Sequence, residues 1–372
     1  MKCKLEEICA FSKKKTYVAD LTTETYISTE NMLSNKSGIV NATSLPNADF
    51  TQAYEKGNIL VSNIRPYFKK IWQAKFNGGC SNDVLVFTSK ENIDSDFLYY
   101  ILADDAFFAY AMATSKGTKM PRGDKKSIMQ YEVPCYNIET QQKIASILKS
   151  IDEKIELNDT INNNLEQQAR AIYKQMFIDN MSSDCMKGTL SDIADITMGQ
   201  SPSGSSYNED KNGTIFFQGR AEFSFRFPTV RLYTTEPKQM AYTNDTLISV
   251  RAPVGDLNVA HTDCCIGRGL AAAHSKTNHQ SFILYTISSL KKQLEVFNGE
   301  GTVFGSINKK SLIEMPIIIP PNKKLDEFEA IVSPIDSSIR NNYDENCHLI
   351  KIRDSLLKKL VSGELDVSNL DI

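Results

Sequence analysis

Five side chains between positions 261 and 279 carry the nitrogen and sulfur donors that zinc takes: His261, Cys264, Cys265, His274 and His279. Zinc sites use spaced pairs such as C-x₂₋₄-C and H-x₃₋₅-H, and adjacent cysteines supply poor geometry. Three other groups point to a different chemistry. Arg65, Lys69 and Lys70 stand beside Tyr67 and Trp72, and Lys116, Lys119 and Arg122 surround Gly117. Arg220, Arg226 and Arg231 are interleaved with Phe223, Phe225 and Phe227. Arginine and lysine neutralise phosphates and read guanine, and Gln or Asn reads adenine. Gln200 and Ser201, in the hydroxyl-rich loop MGQSPSGSSYN (198–208), and Arg251, ending the run TLISVR, complete the candidate nucleic-acid contacts. That loop is expected to be flexible. A charge run on a loop is also what a solvated surface looks like, so these signals are weak one by one.

Catalytic signatures are missing. No GxxxxGK[ST] phosphate loop, GxGxxG dinucleotide fingerprint or GxSxG nucleophile elbow occurs. The Asn/Asp-Pro-Pro-aromatic signature of amino-methyltransferases is also absent; the sole Pro-Pro, Pro320–Pro321, follows Ile319. The formal net charge of −3 gives no bulk positive field, so any nucleic-acid contact must be local or shared with a partner. No apolar run approaches the ~20 residues of a membrane helix, and the charged N-terminus MKCKLEEICAFSKKK is no signal peptide. A cytoplasmic protein is expected. Its eight cysteines form no CxxC and read as free thiols.

The elements that position these groups occur twice. GTKMPRGDKKSI (117–128) and GTVFGSINKKSL (301–312) share Gly-Thr, six unlike residues, then Lys-Lys-Ser and a branched aliphatic, at a shift of 184. KLEEI (4–8) answers to TLSDI (189–193), and FLYYIL (97–102) to FILYTI (282–287), both at 185. A chain of 372 residues thus holds two copies of one plan, each too long for a solenoid unit. Cys80 falls opposite Cys265, yet the first copy has no histidine. This disfavours the metal reading and makes both cysteines small buried residues. Strand-like runs NILVSN (58–63), DVLVFT (83–88), TIFFQG (214–219) and TLISVR (246–251), with a buried helix over 96–113, place each half in a mixed α+β class.

Each half ends in a Pro-flanked junction followed by a long helix, the first running from about Glu139 to Asn180. The first seam reads Leu148, Ile151, Ile155, Asn158, Asn162, Leu165, Ala169, Ile172, Met176. Its copy reads Val332, Ile335, Ile339, Asn342, Asn346, Leu349, Arg353, Leu356, Leu360. Buried Asn fixes register. An antiparallel pairing matches Asn158 with Asn346, Asn162 with Asn342, Ile155 with Leu349, Leu165 with Ile339 and Leu148 with Leu356. Arg353 falls opposite Ile151, the one poor layer, with its head expected in solvent. Pro334 is expected to delay the second helix. The expected organisation is domains at 1–137 and 185–321, with spacer helices at 138–180 and 322–365. Some 40 helical residues span roughly 60 Å. Antiparallel helices would relate the copies by a pseudo-twofold, the symmetry duplex DNA itself has.

This plan resembles the specificity subunit of type I restriction–modification systems. The resemblance is carried by TQQKIASILKSIDEKIELNDTINNNLEQQARAIYKQMF (140–177), its copy ending LLKKLVSGEL (356–365), KLEEI, TLSDIADITMGQSPSG and NKKSLIEMPIIIPP. It covers nearly the whole chain. It implies that each half is a target-recognition domain reading one part of a split double-stranded DNA site. It implies helices that set the gap and dock two methyltransferase subunits, with motor-endonuclease subunits as further partners. S-adenosylmethionine would be bound by the methyltransferase, the chain itself having no cofactor and no catalytic residues. The sequence departs from its own repeat at Pro121 and Arg122, where the second copy has Gly305 and Ser306. Rival readings are a scaffold that never touches DNA, a metal-dependent enzyme, and the specificity chain of a type IIB-like enzyme.

Overall fold

The computed structural model describes residues 2–181, 183–299 and 305–367. The Gly301–Thr302 pair of the second repeated loop therefore lies outside the described residues. Two compact units share the chain: residues 1–158 with 344–372, and residues 159–343. Each unit thus includes one end of each long helix. Among the described residues no helix is long and apolar enough to cross a membrane.

In the first unit, Cys9–Phe11, Val84–Ser89, Ile59–Ser62 and Ile71–Gln73 form an antiparallel four-stranded sheet in that order. A second sheet runs Lys15–Tyr17, Phe50–Tyr54, Gly78–Cys80, Tyr26–Ile27, its last pair parallel. A short ribbon joins Lys2–Lys4 to Glu132–Pro134. The second unit repeats the plan. Ala194–Met198, Leu270–Ser275, Thr246–Ser249 and Leu257–Val259 make the four-stranded sheet. Tyr207–Asn208, Leu232–Thr234, Thr214–Phe217, Cys264–Ile266 and Met240–Ala241 make the other, with Thr214–Phe217 parallel to Cys264–Ile266. Met186–Thr189 pairs with Pro316–Ile319. All four strand-like runs of the sequence are strands, Ile59–Ser62, Val84–Ser89, Thr214–Phe217 and Thr246–Ser249, and the class is mixed α and β.

The repeated motifs are local devices. KLEEI and TLSDI each form a one-turn helix whose third residue turns back on the start: Glu7 accepts from the Lys4 amide at 2.7 Å and Asp192 from the Thr189 amide at 2.7 Å. Lys-Lys-Ser opens a second short helix in each half. Its cap is Asp124, accepting from the amides of Lys126 (3.1 Å) and Ser127 (2.9 Å), or Asn308, accepting from Ser311 (2.9 Å). The aliphatic that follows, Ile128 or Leu312, is buried. The helix expected over 96–113 is instead two, Ser95–Ala103 and Asp105–Ala113. Asp104 is extended and caps the second through the Ala106 amide at 3.1 Å, so a side chain that competes with helical hydrogen bonding breaks the run.

The central helix runs Ile138–Lys174 and closes on one wide turn, Gln175–Asp179, somewhat short of Asn180. In the first unit it buries Ile144, Ala145 and Leu148 in the core that also takes Leu357 and Leu360. In the second it buries Ala169 and Tyr173 beside Leu325, Phe328 and Val332. Each fully buried Leu or Phe stabilises by about 1.5–3 kcal/mol. The C-terminal helix is unbroken from Asn322 to Ser362, so Pro334 does not delay it. Pro334 lies on the exposed side, while Phe328, Val332 and Ile339 on either side of it are fully buried. That burial outweighs the one backbone bond the proline ring removes.

The expected antiparallel register is present in both units. Asn158 Nδ2 donates to Asn346 Oδ1 at 2.9 Å in the first, and Asn342 Nδ2 to Asn162 Oδ1 at 2.9 Å in the second. Arg353 differs from expectation: its guanidinium binds Asp152 at 2.8 Å and Asp354 at 2.9 Å and does not reach out to solvent. The misfit layer opposite Ile151 is thus satisfied by a carboxylate one position along.

Candidate nucleic-acid interface

The first unit brings two distant basic segments together. Ile64 and Lys116 both bridge to Arg122, and the Arg65 amide donates to the Pro121 carbonyl at 2.8 Å. Arg65 and Lys69 take left-handed backbone (φ 51° and 50°) on either side of the turn Pro66–Phe68, which displays Tyr67 and Phe68. Such backbone costs roughly 1 kcal/mol for a side-chain-bearing residue and marks a loop held in place by its surroundings. Lys69 shares Asp105 with Lys36, each at 2.9 Å. Lys70 is half-buried and donates to the Thr29 carbonyl at 2.6 Å; burial lowers its pKa. Lys116 pairs with Asp124, whose carboxyl this ammonium and the Ser127 amide hold well below the usual range. Arg122 pairs with Asp83 at 3.2 Å, and Lys119 is exposed on the turn between. So the loop bearing Arg65, Lys69 and Lys70 is held beside the one bearing Lys116, Lys119 and Arg122, with Lys69, Lys70, Lys116 and Arg122 engaged by partners within the unit.

In the second unit the loop pairing recurs: Arg251 bridges to Ser306 as Ile64 bridges to Arg122, and the Ala252 amide donates to the Gly305 carbonyl at 3.0 Å as Arg65 does to Pro121, so Arg251 stands one position before the place of Arg65. Both arginines follow a serine that closes the loop on a carbonyl, Ser62 to Ile64 and Ser249 to Pro253. Gln200 and Ser201 lie against another turn: the Gln200 amide donates to Ile266 at 3.0 Å and Ser201 Oγ accepts from the Arg268 amide at 3.3 Å. Their loop is pinned and not flexible, since Tyr207 donates to the Pro202 carbonyl and Ser206 bonds Thr234. Arg220 is exposed and tied to Asp256 at 2.8 Å. Arg226 corrects the sequence reading. It is buried, its guanidinium paired with Asp336, within 3.4 Å of the Tyr285 hydroxyl and stacked over that ring. A guanidinium so engaged is unavailable to phosphate or base.

The histidine–cysteine group disperses. His261 packs on Phe227 and Tyr343, His274 bonds Asp245 at 2.6 Å, and His279 bonds Asp326 at 2.9 Å and Thr277 at 2.8 Å. Cys80 and Cys265 are fully buried, and burial pushes the Cys80 thiol up to about 12. Among the described residues no three His, Cys, Asp or Glu side chains converge on a metal position.

One pair of contacts escaped the sequence reading. The Tyr100 hydroxyl donates to Asp152 at 2.8 Å, and the Tyr285 hydroxyl to Asp336 at 2.8 Å. The two sets coincide under the repeat, and each joins a domain helix to a long helix. Burial, with the adjoining carboxylate, raises both phenols. The arginine that completes each set differs in origin: Arg353 from the C-terminal helix in the first unit, Arg226 from the globular part in the second. The signal was present as an aspartate recurring at a shift of 184, in SIDEKI (150–155) and PIDSSI (334–339).

A model of the type I restriction modification DNA specificity domain matches the chain twice, over residues 1–167 and 182–346. The chain is 30% identical over 310 residues to the putative type I restriction enzyme MjaX specificity subunit of Methanocaldococcus jannaschii, covering 77% of this chain and 72% of that one. It is 26% identical over 318 residues to the MjaIX specificity subunit of the same organism, covering 76% and 71%. The fold is also that of the crystal structure of the type I restriction–modification system S subunit from M. genitalium, with a TM-score of 0.61 at 18% identity over 99% and 96% of the two chains.

Proposed function

Because the chain belongs to the type I restriction–modification DNA specificity family, we propose that its two basic loop faces read the two parts of a split double-stranded DNA target. The protein is a specificity subunit with two target-recognition domains, and such subunits are the specificity components of restriction–modification complexes. The globular parts, residues 1–137 and 185–321, do the reading. The helical segments 138–180 and 322–365 set the gap between half-sites and dock two adenine-N6 methyltransferase subunits, which bind S-adenosylmethionine. Motor-endonuclease subunits join the same assembly. The chain works inside the cell and catalyses nothing itself; it selects where its partners act.

The observation that carries this reading is the double match to the DNA specificity domain, on a loop that in both units is pinned to the segment preceding the Lys-Lys-Ser helix and bears an arginine, Arg65 in one and Arg251, one position earlier, in the other. Backbone contacts of this kind position a protein on DNA, and neighbouring side chains read base edges. The test is duplex binding by the chain with its methyltransferase partner as salt is raised. Replacing Lys119 and Arg122 by alanine is expected to weaken binding and lower the salt slope by about 1 to 2. Binding that is independent of salt, or absent, favours a scaffold that never touches DNA.

A further inference from the structure

Between the strands Cys264–Ile266 and Leu270–Ser275 lies the turn Gly267–Arg268–Gly269. It is held on every side. The Gly267 amide donates to the Phe217 carbonyl at 2.8 Å, Gly269 to Gln218 at 3.3 Å, and Arg268 to Ser201 Oγ at 3.3 Å. Gly199 packs so closely that a Cβ there would sit 2.2 Å from the Gly267 carbonyl oxygen. The turn is therefore a fixed pedestal, and the Arg268 side chain stands exposed on it.

The charge of Arg268 is uncommitted. Arg220 is neutralised by Asp256, Arg226 by Asp336, and Arg231 by Glu222 at 3.2 Å, whereas Arg268 has no ion-pair partner among the described residues. Exposed Gln200 flanks it through Ser201, and exposed Gln218 through Gly269. The first unit has the same turn, joining the strand Gly78–Cys80 to Val84–Ser89. Its hydrogen bonds match at a shift of 186: the Ser81 amide donates to the Ile27 carbonyl as Gly267 does to Phe217, and the Asp83 carbonyl accepts from the Asn63 amide as the Gly269 carbonyl does from Val250. Exposed Asn82 therefore stands at the place of Arg268. One framework thus presents a free cationic fork in one domain and a neutral amide in the other.

We propose that Arg268 is a specificity-determining residue of the second recognition domain and that it reads a guanine in the major groove of its half-site. The guanidinium fork matches the O6 and N7 acceptors of guanine, whereas an amide such as that of Asn82 matches adenine. A rigid turn supplies the aim that a solvated surface arginine lacks. The inference rests on the DNA-reading function proposed above.

The experiment uses the full chain with its methyltransferase partner in cells, mapping N6-methyladenine by single-molecule sequencing. If the wild-type chain directs no bipartite motif, the function itself fails and not the residue assignment. Given such a motif, Arg268→Ala should make one guanine of one half-site degenerate and leave the other half-site intact, with discrimination at that base reduced about tenfold or more. Arg268→Gln should shift that position toward adenine, because a Gln amide matches adenine N6 and N7. If the motif is unchanged with both variants, the assignment is overturned. Uniformly weaker methylation at an unaltered motif overturns it too, and makes Arg268 a phosphate contact.

Discussion

Asp124 and Asn308 show how little chemistry separates a shared motif from a variable one. Each satisfies the amides that open the Lys-Lys-Ser helix, so the repeat needs a capping side chain there and accepts either residue. Asp124→Ala is expected to lower the urea midpoint of unfolding at neutral pH, as the loss of a cap does. Its carboxyl is depressed, so the cap is complete above the ordinary aspartate range and fades as pH falls through the lower folded value. A variant as stable as wild type at neutral pH would contradict the assignment. At this scale the sequence was legible for the Lys-Lys-Ser recurrence and silent on its caps, because the two copies place unlike residues, Asp124 and Asn308, at that position. It was illegible for Arg226, which looked like its surface neighbours in an Arg–Phe run but pairs with an aspartate 110 positions away. Burial of a charge is decided by what arrives from elsewhere in the chain.

The long helices were the most readable elements, because register there is written in one repeating pattern. The shared sum of positions that pairs Asn158 with Asn346 also pairs Asn162 with Asn342, and both bonds form. Asn158→Leu alone should destabilise by roughly 1–3 kcal/mol, since the buried Asn346 side-chain oxygen then loses the donor it meets. Changing both to leucine should recover that loss or exceed it, at the expense of register. Equal, additive losses from the two changes in a urea series would show that the asparagines do not act as a pair. Pro334 misled because its local rule is strong and the burial that overrides it comes from a distant core. The Tyr100–Asp152 and Tyr285–Asp336 bonds were missed because polar residues at helix positions read as solvent-facing until the partner strand or helix is placed.

Across the whole molecule, duplication explains both what recurs and what does not. Sheets, capped helices, the loop pinned by Arg65 to Pro121 or Ala252 to Gly305, and the Tyr–Asp bonds recur, and these build and hold a recognition domain. The residues on the displayed turns differ, as Asn82 and Arg268 do, and these are suited to reading different half-sites. On the proposed function, a chain with a net charge of −3 would reach DNA through such faces and not through its overall field. The central claim is that this chain chooses the DNA sequence its partners modify. The most direct measurement maps N6-methyladenine across the genome of cells carrying the methyltransferase partner, with and without this chain. One bipartite motif, methylated on both strands and lost when the chain is absent, is the predicted result; a methylation pattern indifferent to the chain would contradict it.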